Sequence, residues 1–325
     1  MTAEGHFPAK LLLFGEYSIL LGSPALSMPY GFFCASLRFM NRDREDTAGA
    51  EESNLHLQEL CSHFLADREV FYEFLDLDRF SSEVMNGLFL SSTIPQCYGM
   101  GSSGALCAAI YSRYGRAVKD PSRSPSGEEM AILRQQFMRM ESWFHGRSSG
   151  FDPLVSCLGK TLLLGSDGVV VTADIPGKVF SENNSGLLLV DSGSPCRTGK
   201  LVGDFLERYV PGGKISLAAA DFCRMTGSCI RTILEGDPDR FHKAVNRLSR
   251  FQLKALENLV PAHLDPFWRE GLLTGLFTLK LCGSGGGGYL LCFTRNMEQT
   301  ARYFEKRKIP VMKVPIPWQE QLTGS

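Results

Sequence analysis

Residues 99–104 read Gly-Met-Gly-Ser-Ser-Gly, directly ahead of the apolar, alanine-rich run Ala105 to Tyr111. Glycines this close together serve a sharp turn, and the run behind them has the composition of a helix. The chain must therefore bend near 99–101 and open a helix by 102–104. Such a helix presents unpaired backbone N–H groups and the positive end of its dipole, the makings of an anion site. The plainer alternative is a tight turn with serines capping a helix.

Three better-known patterns lie close to hand, and the sequence argues against each. Gly99 to Gly104 satisfies G-x-G-x-x-G, but a dinucleotide site needs a strand before the first glycine and an acid about 20 residues on. Here Pro95 and the polar Gln96-Cys97-Tyr98 precede the loop, and Ser122 to Ser124 fill the downstream window. A Walker loop fails at Gly193 to Leu201, which has one residue too many and leucine in place of serine or threonine. Gly146 to Gly150, Gly-Arg-Ser-Ser-Gly, matches a hydrolase elbow around Ser148, yet it follows a helical stretch where the elbow needs a strand. With His242 and His263 as distant partners, an esterase stays open as a minor reading.

The chain has 325 residues, which favours two domains. Its net charge of −1 supplies no bulk attraction for nucleic acid or an anionic membrane, so an anionic ligand must be held by a few placed groups. No apolar run is long enough to span a bilayer, and Leu11 to Phe14 is too short for a signal peptide. Ten cysteines without a C-x-x-C pair read as reduced thiols in a cytoplasmic protein, and the six histidines show no metal-ligand spacing.

Two polar stretches, Asn41 to Asn54 and Lys119 to Glu129, read as surface loops. The segment Ala9 to Pro29 reads as a hairpin of two short strands. Ser126 and Glu129 form a capping box for a helix reaching about His145, with Met130, Leu133, Phe137, Met140 and Phe144 on its core stripe. Two strands joined by Ser166-Asp167-Gly168 follow. Beyond them a strand at Gly186 to Gly193 leads into helical periods near 200–209, 217–234, 239–259 and 266–277, and strands at Gly287 to Phe293 and Pro310 to Ile316 flank a last helix. The mixture lacks regular β-α-β alternation, so the expected class is α+β, with a domain boundary near residue 176 (1–176 and 177–325).

Four segments taken together resemble the ordered motifs of the GHMP kinase superfamily. They are Pro8 to Leu26, Pro95 to Ala105, Glu141 to Lys160 and Lys280 to Phe293; they fall in family order, so the resemblance runs along almost the whole chain. Within the superfamily the details are most similar to mevalonate kinases. Ser148 stands where proline is usual, and Tyr17 stands where mevalonate kinases usually carry histidine; Gly-Glu-Tyr is common among phosphomevalonate kinases. The resemblance implies an N-terminal domain like ribosomal protein S5 domain 2, a ferredoxin-like C-terminal domain, and ATP- and Mg²⁺-dependent phosphorylation of an alcohol, mevalonate above a sugar or phosphomevalonate. A non-catalytic nucleotide-binding protein is the rival outside the class.

The same resemblance carries roles onto residues. Asp152 matches the catalytic aspartate, with Lys10 beside it. Gly99, Gly101, Ser102, Ser103, Gly104 and Ala105 match the nucleotide loop. Ser103 and Glu141, eleven residues before Asp152, match the Mg²⁺ ligands. Thr198 resembles the threonine lining the acceptor pocket and Glu16 matches the acid of the first motif; Tyr17, His145 and Arg197 are the further candidate acceptor contacts, and Arg147, Arg197 and Lys200 are cations available to the acceptor's carboxylate. Each has a blander reading: a strand-end lysine for Lys10, a solvated helix residue for Glu141, a turn carboxylate for Glu16, a structural histidine for His145. The expected partners are ATP and the small acceptor, with no nucleic acid or membrane, and a homodimer is admitted.

Overall fold

The structure, a computed structural model, describes residues 5–40, 48–116, 125–180, 184–196, 198–210 and 215–315. The chain forms two compact units that interleave in sequence: Met1–Lys10, Met28–Pro95 and Gly101–Lys160 make the first, and Leu11–Ser27, Gln96–Met100 and Thr161–Ser325 make the second. Strand β1 (Phe7–Phe14) and strand β2 (Ala25–Phe39) each run through residues of both. The first strand is continuously apolar apart from Lys10 and is buried throughout. The expected hairpin is present, but its second strand is 15 residues long and a one-turn 3₁₀ helix (Ser18–Leu21) stands between the strands.

In the first unit, Ala35 to Phe39 of β2 pairs antiparallel with β3 (Leu88–Ser92). Helices α1 (Ala48–Ala66), α2 (Arg68–Tyr72) and α3 (Leu77–Met85) pack Phe64, Phe71 and Phe80 together; the Phe64 and Phe71 rings stack with centroids 4.3 Å apart. The polar stretch expected as a loop is therefore helical from Ala48 onward, because its buried Ala50 and Asn54 begin an apolar stripe continued by Leu57, Leu60 and Phe64. Asn54 spends its amide on the carbonyls of Val84 and Leu88. Helices α4 (Ser102–Tyr114), α5 (Gly127–His145) and α6 (Phe151–Leu158) complete the unit. The capping box forms as expected, with the Ser126 hydroxyl on the Glu129 amide and the Glu129 carboxylate on the Ser126 amide.

In the second unit, Ala25 to Ser27 pairs with β4 (Leu162–Leu164), and β4 pairs with β5 (Val170–Thr172) across the expected turn. Strand β6 (Gly186–Asp191) is followed by α7 (Thr198–Tyr209), α8 (Leu217–Glu235), α9 (Pro238–Ala255) and α10 (Asp265–Thr274), then β7 (Phe277–Leu281), β8 (Tyr289–Thr294), α11 (Met297–Glu305) and β9 (Val311–Lys313). The helical period expected to reach 277 ends at Gly275, whose left-handed conformation stops α10 and lets β7 begin. The four strands order β7-β8-β6-β9, and all the pairs among them are antiparallel. The architecture is α+β in both units. No helix among the described residues is long and apolar enough to cross a membrane.

Candidate active site

The first unit gathers five of its polar side chains at the opening of α4. Lys10 is the single charge in β1, and only 4% of it is exposed. A buried ammonium requires a partner, and its Nζ lies 2.8 Å from Oδ2 of Asp152 in the first turn of α6. Asp152 keeps about a third of its side chain (30%) in contact with solvent, so the pair is buried on one side and open on the other.

Two glycines of the loop make this approach possible. A Cβ at Gly101 would stand 2.6 Å from Cγ of Lys10, and Gly101 itself is left-handed, with φ at 73°. A Cβ at Gly104 would stand 2.9 Å from the backbone of Asp152 and Pro153, so α4 and α6 cross backbone to backbone there. The first hydrogen bond inside α4 runs from the amide of Ala105 to the carbonyl of Gly101. The amides of Ser102, Ser103 and Gly104 precede it and have no carbonyl within the helix. Ala105 is fully buried with its amide used, so it packs the helix and offers no donor.

Glu141, on α5, is 4% exposed. Ser103 donates to its Oε1 at 3.0 Å and Ser148 donates to its Oε2. Burial pushes the Glu141 carboxyl up to about 7, and the charge of Asp152 pushes in the same direction; Ser148, Ser103 and Lys10 oppose them. Two carboxylates facing one lysine leave a negative excess in a desolvated place. Hydroxyl and carboxylate oxygens with that excess fit Mg²⁺, which binds one or two protein oxygens and completes its shell with water and phosphate. A divalent cation would remove the cost of ionising Glu141. Among the described residues no cluster of three His, Cys, Asp or Glu forms a closed metal cage.

The second unit holds the other glycine loop, 283–288. Cys282 and Gly283 lie against Gly99, where an added Cβ would meet the Cys282 carbonyl oxygen at 2.5 Å, and Gly288 lies against Tyr98. Glu16 and Tyr17 belong to the same node. Glu16 is buried in an ion pair with Lys280 of β7, which has no exposed surface. The Tyr17 hydroxyl donates to the Ser284 carbonyl at 2.5 Å, and its ring packs on Phe205. Tyr17 thus holds this loop, and Glu16 is paired with a lysine of the strand that precedes it. Arg197 lies outside the described residues, as do the side chains of His145, Thr198 and Lys200.

No family model matches the chain. A mevalonate kinase of Thermococcus onnurineus is 30% identical over 180 residues, which is 49% of this chain and 50% of that one. The chain thus spans about half the length of the curated relatives it matches. Among solved structures, L. major mevalonate kinase in complex with R-mevalonate has a TM-score of 0.61 at 16% identity, over 96% of this chain and 95% of that one. Streptococcus pneumoniae phosphomevalonate kinase in complex with phosphomevalonate and AMPPNP has a TM-score of 0.59 at 13% identity, over 95% and 99%. By sequence the chain resembles mevalonate kinases over about half its length, and its fold is that of the solved GHMP kinases.

Two residues that shape these sites give little signal in the sequence. Lys280 stands at the head of the last motif but gives no sign in sequence that it is wholly buried. Arg134 donates from Nε to the Ser149 carbonyl at 2.8 Å and so fixes the loop carrying Ser148. Its only signal is its place on α5, seven residues before Glu141. The hydrolase reading of Ser148 loses its geometry: the residue follows a helix, donates to a buried acid and accepts from the Gly150 amide at 2.9 Å.

Proposed function

We propose that the chain is a Mg²⁺-dependent kinase that transfers the γ-phosphoryl group of ATP to the hydroxyl of a small alcohol, with mevalonate as the acceptor. The observation that carries this reading is the Lys10–Asp152 pair, 2.8 Å long and half open, set where α4 offers its first-turn amides. Phosphoryl transfer asks little covalent work of a protein; it asks for position and charge.

Asp152 orients the acceptor hydroxyl. As that oxygen bonds to the γ-phosphorus and the bond from phosphorus to the bridging oxygen of ADP breaks, the hydroxyl proton passes to the Asp152 carboxylate. Lys10, 2.8 Å away, holds the Asp152 carboxylate in position. The amides of Ser102 to Gly104 hold phosphate oxygens. Ser103 and Glu141 would hold Mg²⁺, which would supply positive charge against the phosphates. Mevalonate is a hydroxy acid, and Arg147, exposed on the Ser148 loop, is a cation suited to its carboxylate.

A coupled assay of ADP release across mevalonate, phosphomevalonate and galactose tests the reading. Turnover is expected with mevalonate and not with the other two. Turnover with phosphomevalonate alone would transfer the assignment to that acceptor, as Tyr17 would then suggest, and no turnover with any would remove the kinase.

A further inference from the structure

Helix α9 of the second unit departs from ordinary helix electrostatics. It carries Arg240, His242, Lys243, Arg247, Arg250 and Lys254 against a single acid, Asp239. Arg240 and Lys243 fall in the first two turns, where the helix dipole disfavours positive charge. Lys243, Arg247 and Arg250 follow at i, i+4 and i+7, so like charges stack in a stripe. In a chain of net charge −1 this is a local concentration. Departures from such rules collect at functional sites.

The stripe borders a depression of about 520 Å³ formed with Gly275 to Thr278 and with Phe293 to Arg295. His242, Lys243, Arg247, Arg250 and Arg295 line it, and no carboxylate does. Nearby acids are already engaged. Asp239 pairs with Arg295 at 2.5 Å, and Glu270, in an adjoining groove, bonds to Tyr303 and to Arg307. Arg250 bonds to Asn246 and to the Leu272 carbonyl. Lys243 and Arg247 are exposed and make no ion pair among the described residues. Nε2 of His242 is buried and makes no hydrogen bond among the described residues. Its imidazole is pushed down to about 4 by burial first and by Arg295 next, with Asp239 opposing.

We propose that this depression is a binding site for a small, multiply charged phosphate-type anion such as a diphosphate group. The site shares no residue with the one around Asp152. An anion seated among Lys243, Arg247 and Arg295 would relieve the stacked repulsion and make charge-assisted bonds to each. It would also give His242 a reason to take up a proton.

The test uses the full chain with ¹⁵N-labelled histidines, titrated with sodium diphosphate at constant ionic strength. The His242 signal is assigned by its loss in His242→Gln. Its apparent pKa is expected to rise by about one unit or more as diphosphate saturates. Lys243→Ala combined with Arg247→Ala should weaken the binding read at His242 by about tenfold or more, from the loss of two charged donors. Ser103→Ala, at the other site, should leave it unchanged. Absence of a response at His242 would overturn the site, as would an equal response to sodium chloride or its abolition by Ser103→Ala. A single-stranded oligonucleotide that binds there more tightly than diphosphate would overturn the small-anion assignment.

Discussion

Glu141 is almost out of water beside a second carboxylate, and ionising it there costs folding free energy. Its folded pKa lies above the ordinary carboxylate value, so the folded state holds its proton longer than the unfolded chain does. The contribution to stability is then full below about pH 4.5 and is lost as pH rises toward 7. Glu141→Gln keeps one serine's bond on its amide oxygen, turns the other serine into an acceptor from its NH2, and abolishes the titration. In EDTA its Tm is expected to exceed that of the wild type at pH 8, with the gap closing toward pH 4.5, while kcat falls and more Mg²⁺ is needed for saturation. A gap that stays flat across that range would show that Glu141 is not held against its charge. Asp152→Asn makes the complementary case, because the amide preserves shape and removes the proton acceptor. We expect kcat to fall by roughly 10²–10⁴-fold with nucleotide affinity nearly intact. Retention of a tenth of the activity, or about that, would take the base away from Asp152.

Among elements, what could be read from sequence was what neighbours in sequence decide. Ser126 and Glu129 are three residues apart and close their capping box with no help from the rest of the chain. The helix at α1 was hidden for the opposite reason: Glu51, Glu52 and Ser53 look like a solvated loop, and only packing on β3 and α3 shows which side of the helix is core. The site divided in the same way. The glycine loop and helix opening were visible locally, and family motifs linked Lys10, Glu141 and Asp152, which no spacing argument could have joined. Lys280 was missed because full burial of a lysine depends on a distant glutamate. The crossing of α4 and α6 at Gly104 yields a prediction at this scale. Gly104→Ala adds a methyl 2.9 Å from the Asp152 backbone, where no flexible side chain can yield. Overpacking of this kind costs about 1–3 kcal/mol. Urea unfolding should show that loss, together with lower kcat; a variant as stable and active as the wild type would mean that the crossing is looser than described.

Taken whole, the chain passes between its two units at five points: after Lys10, Ser27, Pro95, Met100 and Lys160. Neither unit is a contiguous stretch. Residues 161–325 alone would lack Leu11–Ser27 and with it Glu16, stranding Lys280 as an unpaired buried charge. Expressed alone, that fragment is expected to lack a cooperative thermal transition, and Lys280→Met should partly restore one. In the full chain the same substitution leaves Glu16 buried without its cation and should destabilise by about 3–5 kcal/mol. A stable 161–325 fragment, or a full-length Lys280→Met as stable as wild type, would argue that the pair is dispensable.

The contact between Gly99 and Gly283 bears on inheritance as well as on shape. Each position leaves no room for a Cβ, since one would fall 2.5 Å from the Cys282 carbonyl oxygen at Gly99 and 2.9 Å from the Gly99 Cα at Gly283. Every single-base change of a glycine codon that alters the amino acid introduces a side chain or a stop. The two loops therefore have no conservative neighbour in codon space. A lineage carrying this contact can drift at the synonymous third base and hardly elsewhere, so divergence among descendants would have to accumulate around these two codons and leave them standing.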